Sequence, residues 1–527
     1  MRKIYLFTFL VFLFQTGQTQ DFNLELVSQL EYSPQLNDVW GYVDSLGNEY
    51  ALVGTHTPGG VSVVDISVPE SPVEVAFIED ANSLWRDMKT WGTHAYATNE
   101  SSEGLLIIDL SSLPDASGIT SSRYIGPDGN TWSSAHNIYI DEFGFAYIFG
   151  ANRDNGGAII LDLTDPRNPV EVGTYETAYI HDGMAKNNIL YTGNIYQGTF
   201  SVVDVSDKAN PVYLGGHETP NQFAHNIWVS DDEMYVYTTD EKPGAYITGY
   251  DISNLDDVVE TDRVQNSPGS SVVPHNTFFM DDYLITSYYD AGVVIHDVSD
   301  PENMVLTGSY DTAPINSSGF GDWGVYPYLP SGLVLATDNA EGLFILQPIY
   351  TRASRIQGEV TDATTGDPVF NAEIVIQNTD VVDLTDVSGI YKMGTAESGM
   401  FTVVASKDGY FDTTIENVEF INGEAVNLNI ELEENTVGVN ELISNRDYKI
   451  FPNPAKDNIY IEIGSENTND LEEVYITDIT GKRVFEQKAA NNIYRLEISP
   501  DLNKGTYILN LVWNDQRISV DKILIMD

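Results

Sequence analysis

The sequence predicts an all-β fold. Its 527 residues include 42 glycines, and turn-forming residues separate short runs of β-branched, aliphatic and aromatic residues along the chain. A strand-rich unit recurs seven times, with spacings of 42 to 53 residues. Apolar residues make up 42% of the chain and aromatic residues 11%, which is enough to build large buried cores. We therefore expect folded β domains and no globally disordered chain.

The charge balance and the missing cysteines exclude several classes of protein. The chain has 25 Lys and Arg against 79 Asp and Glu, which gives a formal net charge of −54. An acidic surface repels nucleic-acid phosphates and anionic lipids, so we expect no nucleic-acid partner. With no Cys, the chain has no disulfide, thiol nucleophile, zinc–thiolate site or iron–sulfur cluster.

Residues 1–19 have the pattern of a secretory signal peptide. Arg2 and Lys3 precede the apolar run from Ile4 to Phe14, and small residues stand shortly before Gln20. The alternative is a membrane anchor. However, the apolar run is too short to span ~30 Å of hydrocarbon. We expect export, and no transmembrane segment in the mature chain.

The seven repeats fill residues 20–350. Six of them carry a run of aliphatic residues and then an Asp followed two residues later by Ser or Thr, as in Gly60 to Ser67, and the seventh has Gln347 where the Asp is expected. Strand patterns precede and follow this phrase, so each repeat holds four strands. A four-stranded unit of this length is typical of a propeller blade, and the sequence therefore predicts a seven-bladed β-propeller. The Asp is expected to accept hydrogen bonds from nearby backbone N–H groups in the turn.

The seventh repeat lacks an outer strand, because it stops at Gln347 and Pro348. The N-terminal segment 22–30 has a strand pattern and is the candidate replacement. We predict that it completes blade seven and closes the ring, which removes two sheet edges that would otherwise invite aggregation.

The repeat residues, among them Leu105-Leu106-Ile107-Ile108-Asp109, resemble the LVIVD-repeat propellers of the choice-of-anchor B family. The resemblance covers roughly residues 22–350 and is specific through its repetition. It implies a surface module that occurs with different C-terminal anchors, and it implies no settled activity.

Two polar positions recur at the start of each innermost strand. The first position is occupied in turn by Asn37, Arg86, His136, His181, His225, His275 and Gly321. The second is always Asp or Asn: Asp38, Asp87, Asn137, Asp182, Asn226, Asn276 and Asp322. A short acceptor required in every blade can bond backbone N–H groups and hold neighbouring blades in register. The alternative is a Ca²⁺ ion held by carboxylate and amide oxygens.

Function is expected in the first position, where the blades differ. Four of the eight His residues occupy it in succession. Innermost strands converge on the propeller axis, so His136, His181, His225 and His275 can face one central space. Imidazoles held together can bind Zn²⁺, Cu²⁺ or Ni²⁺ or act as general acid and base, and Arg86 can recognise an anion. The alternative is that each His bonds the adjacent blade as a polar plug.

Three tryptophans, Trp85, Trp91 and Trp132, lie near blades two and three. They can form a stacking surface for sugar, although packing in the core or rim is the alternative. No motif of a serine nucleophile, a phosphate-binding loop or a dinucleotide site is present.

Residues 355–433 predict a small β-sandwich. A strand at Ile356–Val360, a turn at Asp362–Pro368 and an alternating strand at Ala372–Ile376 begin the pattern. The run resembles the carboxypeptidase regulatory-like domain, a transthyretin-like sandwich. The resemblance implies a spacer or a binding accessory. A polar, acidic linker over residues 434–446 follows it.

Residues 447–527 carry five landmarks in a specific order: Tyr448 to Ala455, Asn458 to Ile463, Val474 to Lys482, Leu502 to Leu511 and Lys522 to Ile525. Together they resemble the type A sorting domain of type IX secretion. The resemblance implies export across the outer membrane of a Gram-negative cell and recognition by the secretion machinery. It leaves open whether the domain is removed and the protein attached to surface lipopolysaccharide.

Three functions are open from the sequence. The preferred one is a non-enzymatic secreted or surface protein whose propeller binds a glycan or a surface protein, or acts as a scaffold. The second is an extracellular metal-dependent hydrolase or lyase centred on the four His residues and Arg86. The third is a calcium-stabilised adhesin that uses the Asp/Asn positions.

Overall fold

The computed structural model describes residues 21–33, 35–266, 270–312, 321–435, 448–456, 458–463, 471–479, 481–489, 495–499, 501–514 and 518–526. The predicted signal peptide, and all but the start of the predicted linker, lie outside these residues. Within them the regular elements are β-strands and three short 3₁₀ turns, at Ala116–Gly118, Asp154–Gly156 and Tyr289–Ala291. The all-β prediction is confirmed. None of the described helical segments is long and apolar enough to cross a membrane.

Between residues 24 and 348 the described strands form seven four-stranded antiparallel sheets. The chain begins with β1 (Leu24–Leu30). The first sheet contains β2 (Leu36–Val43), β3 (Glu49–Thr55), β4 (Gly60–Asp65) and β5 (Val73–Glu79). The second contains β6 (Met88–Trp91), β7 (His94–Ala97), β8 (Leu105–Asp109) and β9 (Thr120–Tyr124). The third contains β10 (Asn137–Ile140), β11 (Phe145–Phe149), β12 (Ala158–Asp162) and β13 (Val170–Tyr175).

The fourth sheet contains β14 (Asp182–Lys186), β15 (Ile189–Asn194), β16 (Thr199–Asp204) and β17 (Val212–Glu218). The fifth contains β18 (Ala224–Val229), β19 (Tyr235–Asp240), β20 (Ile247–Asp251) and β21 (Val259–Val264). The sixth contains β22 (Pro274–Met280), β23 (Tyr283–Tyr288), β24 (Gly292–Asp297) and β25 (Val305–Tyr310). The seventh is built from β26 (Asp322–Tyr326), β27 (Val334–Asp338), β28 (Gly342–Pro348) and the N-terminal β1.

The sheets are arranged in a ring. The first strand of each sheet packs against the first strand of the next, and β26 packs against β2. Middle strands such as β3 are buried along their whole length, because each sheet is covered on both faces by its neighbours. Outer strands such as β5 are partly exposed. Burial therefore decreases from the middle strand to the outer strand of each sheet, and the contacts between successive first strands place all seven around a common axis.

The N-terminal strand closes the ring. β1 pairs antiparallel with β28, from Leu24 opposite Pro348 to Leu30 opposite Leu343. Leu24 is buried in a cluster with side chains of the sixth and seventh sheets. The outer edge of β28 is thereby covered by backbone hydrogen bonds from the other end of the propeller.

The Asp-x-Ser/Thr phrase forms the same turn in six sheets. In each, an Asp carboxylate accepts a hydrogen bond of 2.7–3.0 Å from the backbone N–H two residues later. The pairs are Asp65–Ser67, Asp109–Ser111, Asp162–Thr164, Asp204–Ser206, Asp251–Ser253 and Asp297–Ser299. The repeat phrase therefore encodes the exit from the third strand.

A β-sandwich follows the propeller. Its strands are β29 (Ser354–Asp362), β30 (Glu373–Ile376), β31 (Val382–Leu384), β32 (Ile390–Thr395), β33 (Gly399–Ser406), β34 (Thr413–Phe420), β35 (Ala425–Asn427) and β36 (Ile430–Leu432). They form two sheets, one around β29 and one in the order β31-β30-β33-β34. The buried Arg355 joins this domain to the propeller, since its guanidinium contacts Oδ2 of Asp297 at 3.2 Å and donates to the carbonyl of Asn303 at 3.0 Å.

The C-terminal domain is a second sandwich. Its strands are β37 (Tyr448–Phe451), β38 (Ile459–Ile463), β39 (Leu471–Thr477), β40 (Arg483–Lys488), β41 (Arg495–Ile498), β42 (Gly505–Trp513) and β43 (Ile518–Ile525). They form a sheet in the order β37-β38-β41 and another in the order β40-β39-β42-β43. Alternating apolar residues from both sheets form one buried core that includes Ile461, Val474 and Leu511.

Candidate functional site

The seven first strands line the axial channel with three layers of side chains. The entrance layer contains Asn37, Arg86, His136, His181, His225, His275 and Trp323. The acid–amide layer contains the next residue of each strand: Asp38, Asp87, Asn137, Asp182, Asn226, Asn276 and Gly324. The aromatic layer lies two residues further on and contains Trp40, Lys89, Tyr139, Met184, Trp228, Phe278 and Tyr326. Several strands have a bulge between the first two layers, which lets consecutive residues face the channel.

The seventh sheet differs from the sequence prediction. In the fifth sheet Ala224 pairs with Asp240 and Asn226 with Thr239, so His225 is the bulged residue. In the seventh sheet Asp322 pairs with Asp338 and Gly324 with Thr337. The bulged residue is therefore Trp323, and Asp322 lies before the layers. The predicted pair Gly321–Asp322 is wrong by two residues. Because side chains alternate between the two faces of a strand, a shift of two residues keeps each side chain on the same face, and the hydrophobic pattern could not reveal it.

Gly324 stands where the other sheets have Asp or Asn, and the reason is steric. A Cβ atom at Gly324 would lie 2.1 Å from Oδ1 of Asp38 in the neighbouring strand. The carboxylate of Asp38 thus fills the space that a seventh side chain would need. Asp322 is buried, and burial together with the neighbouring carboxylates raises its pKa well above the ordinary value.

The rings of the entrance layer form a continuous series around the axis. Successive ring centroids are 3.9 Å apart from His136 to His181, 4.2 Å from His181 to His225 and 4.3 Å from His225 to His275. The series continues through Trp323 at 4.1 Å to Trp85, which stacks on it at 4.4 Å. The structure thus brings all four predicted His residues together at one end of the channel.

Three of the four imidazoles, those of His181, His225 and His275, are held in a form that can act as a ligand. Nδ1 of His275 lies 2.6 Å from the carbonyl oxygen of Trp323, which can only accept, so Nδ1 carries the proton. Its Nε2 is then an acceptor, and it is buried without a hydrogen-bond partner among the described residues. Burial lowers the pKa of His275 to about 3. Burial and the neighbouring imidazoles also hold the pKa values of His181 and His225 well below the ordinary value.

Two carboxylates reach the imidazoles from the ends of second strands. Nδ1 of His136 lies 2.7 Å from Oε1 of Glu100, and Nε2 of His225 lies 3.6 Å from Oε2 of Glu241. Burial raises the pKa of Glu241, and a hydrogen bond from the hydroxyl of Tyr289 to its Oε1 opposes that rise. The entrance therefore combines imidazole nitrogens with the carboxylate of Glu241, which the hydroxyl of Tyr289 holds in place.

Arg86 does not add a free cation to this entrance. Its guanidinium pairs with Oδ2 of Asp80 at 2.5 Å and donates to the carbonyl of Ala81 at 2.7 Å. Asp80 also pairs with Arg123. Both Arg86 and Asp80 have fully buried side chains. The geometry gives Arg86 a structural ion pair and offers no support for the predicted anion recognition.

The acid–amide layer links neighbouring sheets. Oδ2 of Asp87 accepts a bond from the N–H of Ile138 in the next sheet at 3.1 Å, and Oδ1 of Asn226 accepts one from Thr277 at 3.1 Å. Nδ2 of Asn226 donates to Oδ2 of Asp182 at 2.6 Å. These bonds are of the kind that holds adjacent blades in register.

Lys89 lies against the acidic side of this layer. Its Nζ is 2.7 and 2.9 Å from the two carboxylate oxygens of Asp87, and the side chain is buried. Burial and the nearby Asp87 raise the pKa of Asp38 well above its ordinary value, while Lys89 opposes the rise. An ammonium group therefore already balances the carboxylates that a Ca²⁺ ion would have to use, and the geometry does not favour the predicted calcium ring.

Asp182 provides a pH test of this layer. Burial and then the charge of Asp87 raise its pKa to about 6. The folded protein thus keeps a proton at pH values where the unfolded chain has lost it. The stability that Asp182 contributes is complete at low pH and is lost as the pH rises through about 6. Relative to wild type, Asp182→Asn is expected to gain roughly 3 kcal/mol of unfolding free energy between about pH 4 and pH 7.

Urea unfolding followed by tryptophan fluorescence at several pH values measures this difference. The control is Asp204→Asn, because hydrogen bonds from Ser206 lower the pKa of the exposed Asp204. That variant should lose stability relative to wild type as the pH rises. A wild-type-to-Asp182→Asn difference that does not change with pH would show that Asp182 is ionised in the fold throughout.

At the other end of the channel, the aromatic layer opens into a pocket of about 590 Å³. Its walls include six half-buried rings: Trp40, Trp91, Tyr139, Trp228, Tyr326 and Tyr328. The rings pack edge to face, with centroids 4.7 Å apart for Trp40 and Tyr326 and 5.8 Å for Tyr139 and Trp228. Polar groups of Asp141, Glu142, Lys186 and Asn187 also line it.

The entrance end is much narrower. The channel there, bounded by His136, His225, His275, Trp85 and Trp323 among others, holds about 20 Å³, which is room for about one water molecule or one ion. The two ends therefore suit ligands of different size.

The predicted tryptophan surface is divided among three places. Trp85 lies at the entrance, Trp91 lines the pocket and Trp132 is buried in the core between the second and third sheets. The aromatic layer itself was missed, although a count of two residues from each Asp or Asn of the first six sheets would have located it.

Glu241 and Tyr289 were also missed. In three sheets a Thr or Ser hydroxyl near the end of the second strand donates to the carbonyl of an entrance-layer residue in the next sheet. The residues two positions after these hydroxyls are Glu100, Glu241 and Tyr289. The hydroxyls belong to Thr98, Thr239 and Ser287. A count of two residues from each of these Thr and Ser positions was the feature that could have located Glu100, Glu241 and Tyr289.

Comparisons with known families match three parts of the chain. The LVIVD repeat matches residues 134–177, 195–219 and 281–312. The carboxypeptidase regulatory-like domain matches residues 355–433, and the secretion system C-terminal sorting domain matches residues 449–526. No curated protein matches the chain.

Among solved structures, the chain is similar to the β-propeller domain of Cps50 (Swd1) from Myceliophteria thermophila. The two are 11% identical, with a TM-score of 0.45, and the match covers 62% of this chain and all of that domain.

The fold and the family matches define the class of protein: an exported, repeat-built β-propeller. More particularly, the chain carries LVIVD repeats, a carboxypeptidase regulatory-like domain and a type IX secretion sorting domain. The sorting domain identifies a secreted or cell-surface protein and implies interaction with the type IX secretion machinery.

Proposed function

We propose that this protein is a secreted or surface-attached binding protein whose propeller holds a glycan in the aromatic pocket. The observation that carries the proposal is the pocket of about 590 Å³ walled by six half-buried rings. Its volume falls in the range of about 300–1,000 Å³ that is usual for small-molecule sites. Membership of the choice-of-anchor B family remains part of this proposal.

The chemistry of the pocket suits a sugar. Aromatic faces can pack against the apolar faces of a pyranose ring, while neighbouring polar groups bond its hydroxyls. The polar groups come from the ends of the first strands: the carboxylate of Glu142 and the ammonium of Lys186. The ammonium is held by the carbonyls of Ser230 and Asp231 at 3.3 and 3.0 Å.

Trp91 is the best residue to test. It is half-buried at the end of β6 and lies over Gly144, where an added Cβ would come within 2.6 Å of its ring. It packs against the edge of the buried core between the second and third sheets, so the unfolding midpoint of the variant is measured beside its affinity. We expect the mature chain, residues 20–527, to bind members of a glycan array. Trp91→Ala should weaken the best binder about tenfold, or ~1.4 kcal/mol.

The control is Tyr196→Ala, which removes a ring that is 74% exposed and lies outside the pocket. This variant should bind as wild type does. Calorimetric titration of each protein with the array's best glycan gives the dissociation constants. An array without any binder, or equal affinity in wild type and Trp91→Ala, would rule out a glycan site at this pocket.

A metal-dependent extracellular hydrolase or lyase is the second candidate, supported by the four imidazoles and Glu241 at the entrance. It requires a bound metal ion and a substrate that reaches it. The narrow entrance favours the binding protein, because a polysaccharide chain cannot enter 20 Å³ of space.

A further inference from the structure

The entrance of the channel contains a cluster of ligand atoms separate from the aromatic pocket. One nitrogen each of His181 and His225 and one carboxylate oxygen of Glu241 lie within 4.8 Å of one another. His225 is 3% exposed and Glu241 is half-buried. Three elements from two neighbouring sheets supply these groups: the segment before β14, the bulge of β18 and the end of β19.

Several nitrogens of this cluster are buried without a well-aligned hydrogen bond. These are Nδ1 of His181, Nδ1 of His225 and Nε2 of His275 among the described residues, although backbone groups of His225 and His275 act on the first two rings. Leaving a buried polar atom unpaired costs roughly 1–3 kcal/mol. His275 is 2% exposed, and its bond to the carbonyl of Trp323 keeps its other nitrogen unprotonated. Three adjacent imidazoles with a poorly satisfied nitrogen each, some as N–H and some as lone pair, are more than packing alone requires.

The distances suit a small divalent transition metal. Zn²⁺ binds imidazole nitrogen and carboxylate oxygen at about 2.0–2.2 Å, so two ligand atoms in a tetrahedral site are roughly 3.3 Å apart. Nε2 of His225 and Oε2 of Glu241 are 3.6 Å apart. Small side-chain adjustments would bring the third ligand atom to the same separation.

The surroundings support a cation. Glu241 is oriented by the hydroxyl of Tyr289, an outer partner of the kind that fixes metal-binding carboxylates. Glu100 lies nearby against His136 and adds negative charge. Arg86, which faces the same channel, is neutralised by Asp80 and does not compete for the carboxylate of Glu241.

We propose that the entrance of the propeller channel binds one Zn²⁺ ion through His181, His225 and Glu241. The ring of His275 lies 4.3 Å from that of His225 and provides a fourth nitrogen next to the site. Tyr289 is a positioning residue that acts through Glu241.

Metal binding is tested on the full mature chain, residues 20–527, after treatment with a chelator. The probe is Zn²⁺ alone. Calorimetric titration and elemental analysis after desalting should both give one Zn²⁺ per chain. Addition of Zn²⁺ should raise the midpoint of thermal unfolding, since a ligand of the folded state stabilises it. His225→Gln and Glu241→Gln should each weaken binding at least tenfold.

The matched control is His217→Gln. His217 is an exposed imidazole beside Glu218 and lies outside the cluster. This variant should keep the stoichiometry and affinity of wild type. If the parent binds no Zn²⁺, or if Glu241→Gln binds as tightly as the parent, the proposal is wrong. Equal losses in His217→Gln and His225→Gln would show only scattered surface binding and would also overturn it.

A second measurement does not depend on the folding of any variant. Co²⁺ replaces Zn²⁺ in such sites, and its visible absorption reports its coordination. The parent chain should show the intense bands of four-coordinate Co²⁺. Weak six-coordinate bands would contradict the proposed ligand set. The glycan test uses the opposite end of the channel, so a failure of either proposal leaves the other unaffected.

Discussion

Replacing Lys89 by Met is expected to lower the free energy of unfolding by about 3–5 kcal/mol near pH 7. The Lys89 ammonium is buried and bonds both carboxylate oxygens of Asp87 at 2.7 and 2.9 Å. Its positive charge also acts on Asp38 and Asp182. There it opposes the rise in pKa that burial and Asp87 cause. The neutral Met side chain loses the contact of the ammonium with the face of Trp40, 4.2 Å from the ring centroid, and leaves Asp87 as a buried, uncompensated charge.

Urea unfolding measures this loss. The double variant Asp87→Asn/Lys89→Met should recover most of the stability. The control is Lys186→Met, which removes an ion pair with an exposed partner, Asp231, and should cost less than about 1 kcal/mol. Wild-type stability in Lys89→Met would mean that the acid–amide layer is neutral without the lysine.

Deleting residues 21–31 is expected to lower the midpoint of thermal unfolding of the propeller by on the order of 10 °C and to cause aggregation. The deletion removes the whole of β1 and leaves β28 as an open edge. It also removes Leu24, which is 3% exposed, from a cluster with Phe278 and Ile295. The loss of that side chain alone is comparable to a core Leu→Ala change, about 2–5 kcal/mol.

Calorimetry and light scattering on the truncated mature chain test the prediction. A peptide of residues 21–31 added in trans should restore the midpoint by adding a strand to the open edge, whereas a scrambled peptide should not. If the truncated chain melts at the wild-type temperature and stays monomeric, β1 is dispensable for closure.

The repeats explain why so much of the propeller could be predicted. A phrase that recurs at near-constant spacing marks the same strand in each unit, so the all-β class and the positions of His136, His181, His225 and His275 followed from counting. The register of the seventh repeat failed because alignment by residue type preferred Asp322 to Gly324. The deciding fact was the carboxylate of Asp38, which arrives from the first sheet and occupies the available space.

The partners of the imidazoles could not be read in the same way. Glu241 stands at the end of β19, and its approach to His225 depends on how one sheet is rotated against the next. Sequence spacing within a repeat carries no information about that rotation. The role of Lys89 could not be predicted for a similar reason. In the sequence it is a single Lys at a position where other blades have Trp40, Tyr139, Trp228 or Phe278. Only the structure shows that its ammonium bonds the carboxylate of Asp87.

The pairing of β1 with β28 also sets the order in which the molecule can be completed. Leu24 and Pro348 are partners although more than 300 residues separate them along the chain. Such a contact has a very high sequence separation, and contacts of this kind form late in folding. The N-terminal strand β1 therefore cannot pair until β28 of the seventh sheet has been synthesised and has folded. During that interval the edge of β28 is open, which makes this the stage at which a chaperone or rapid folding matters most for the yield of exported protein.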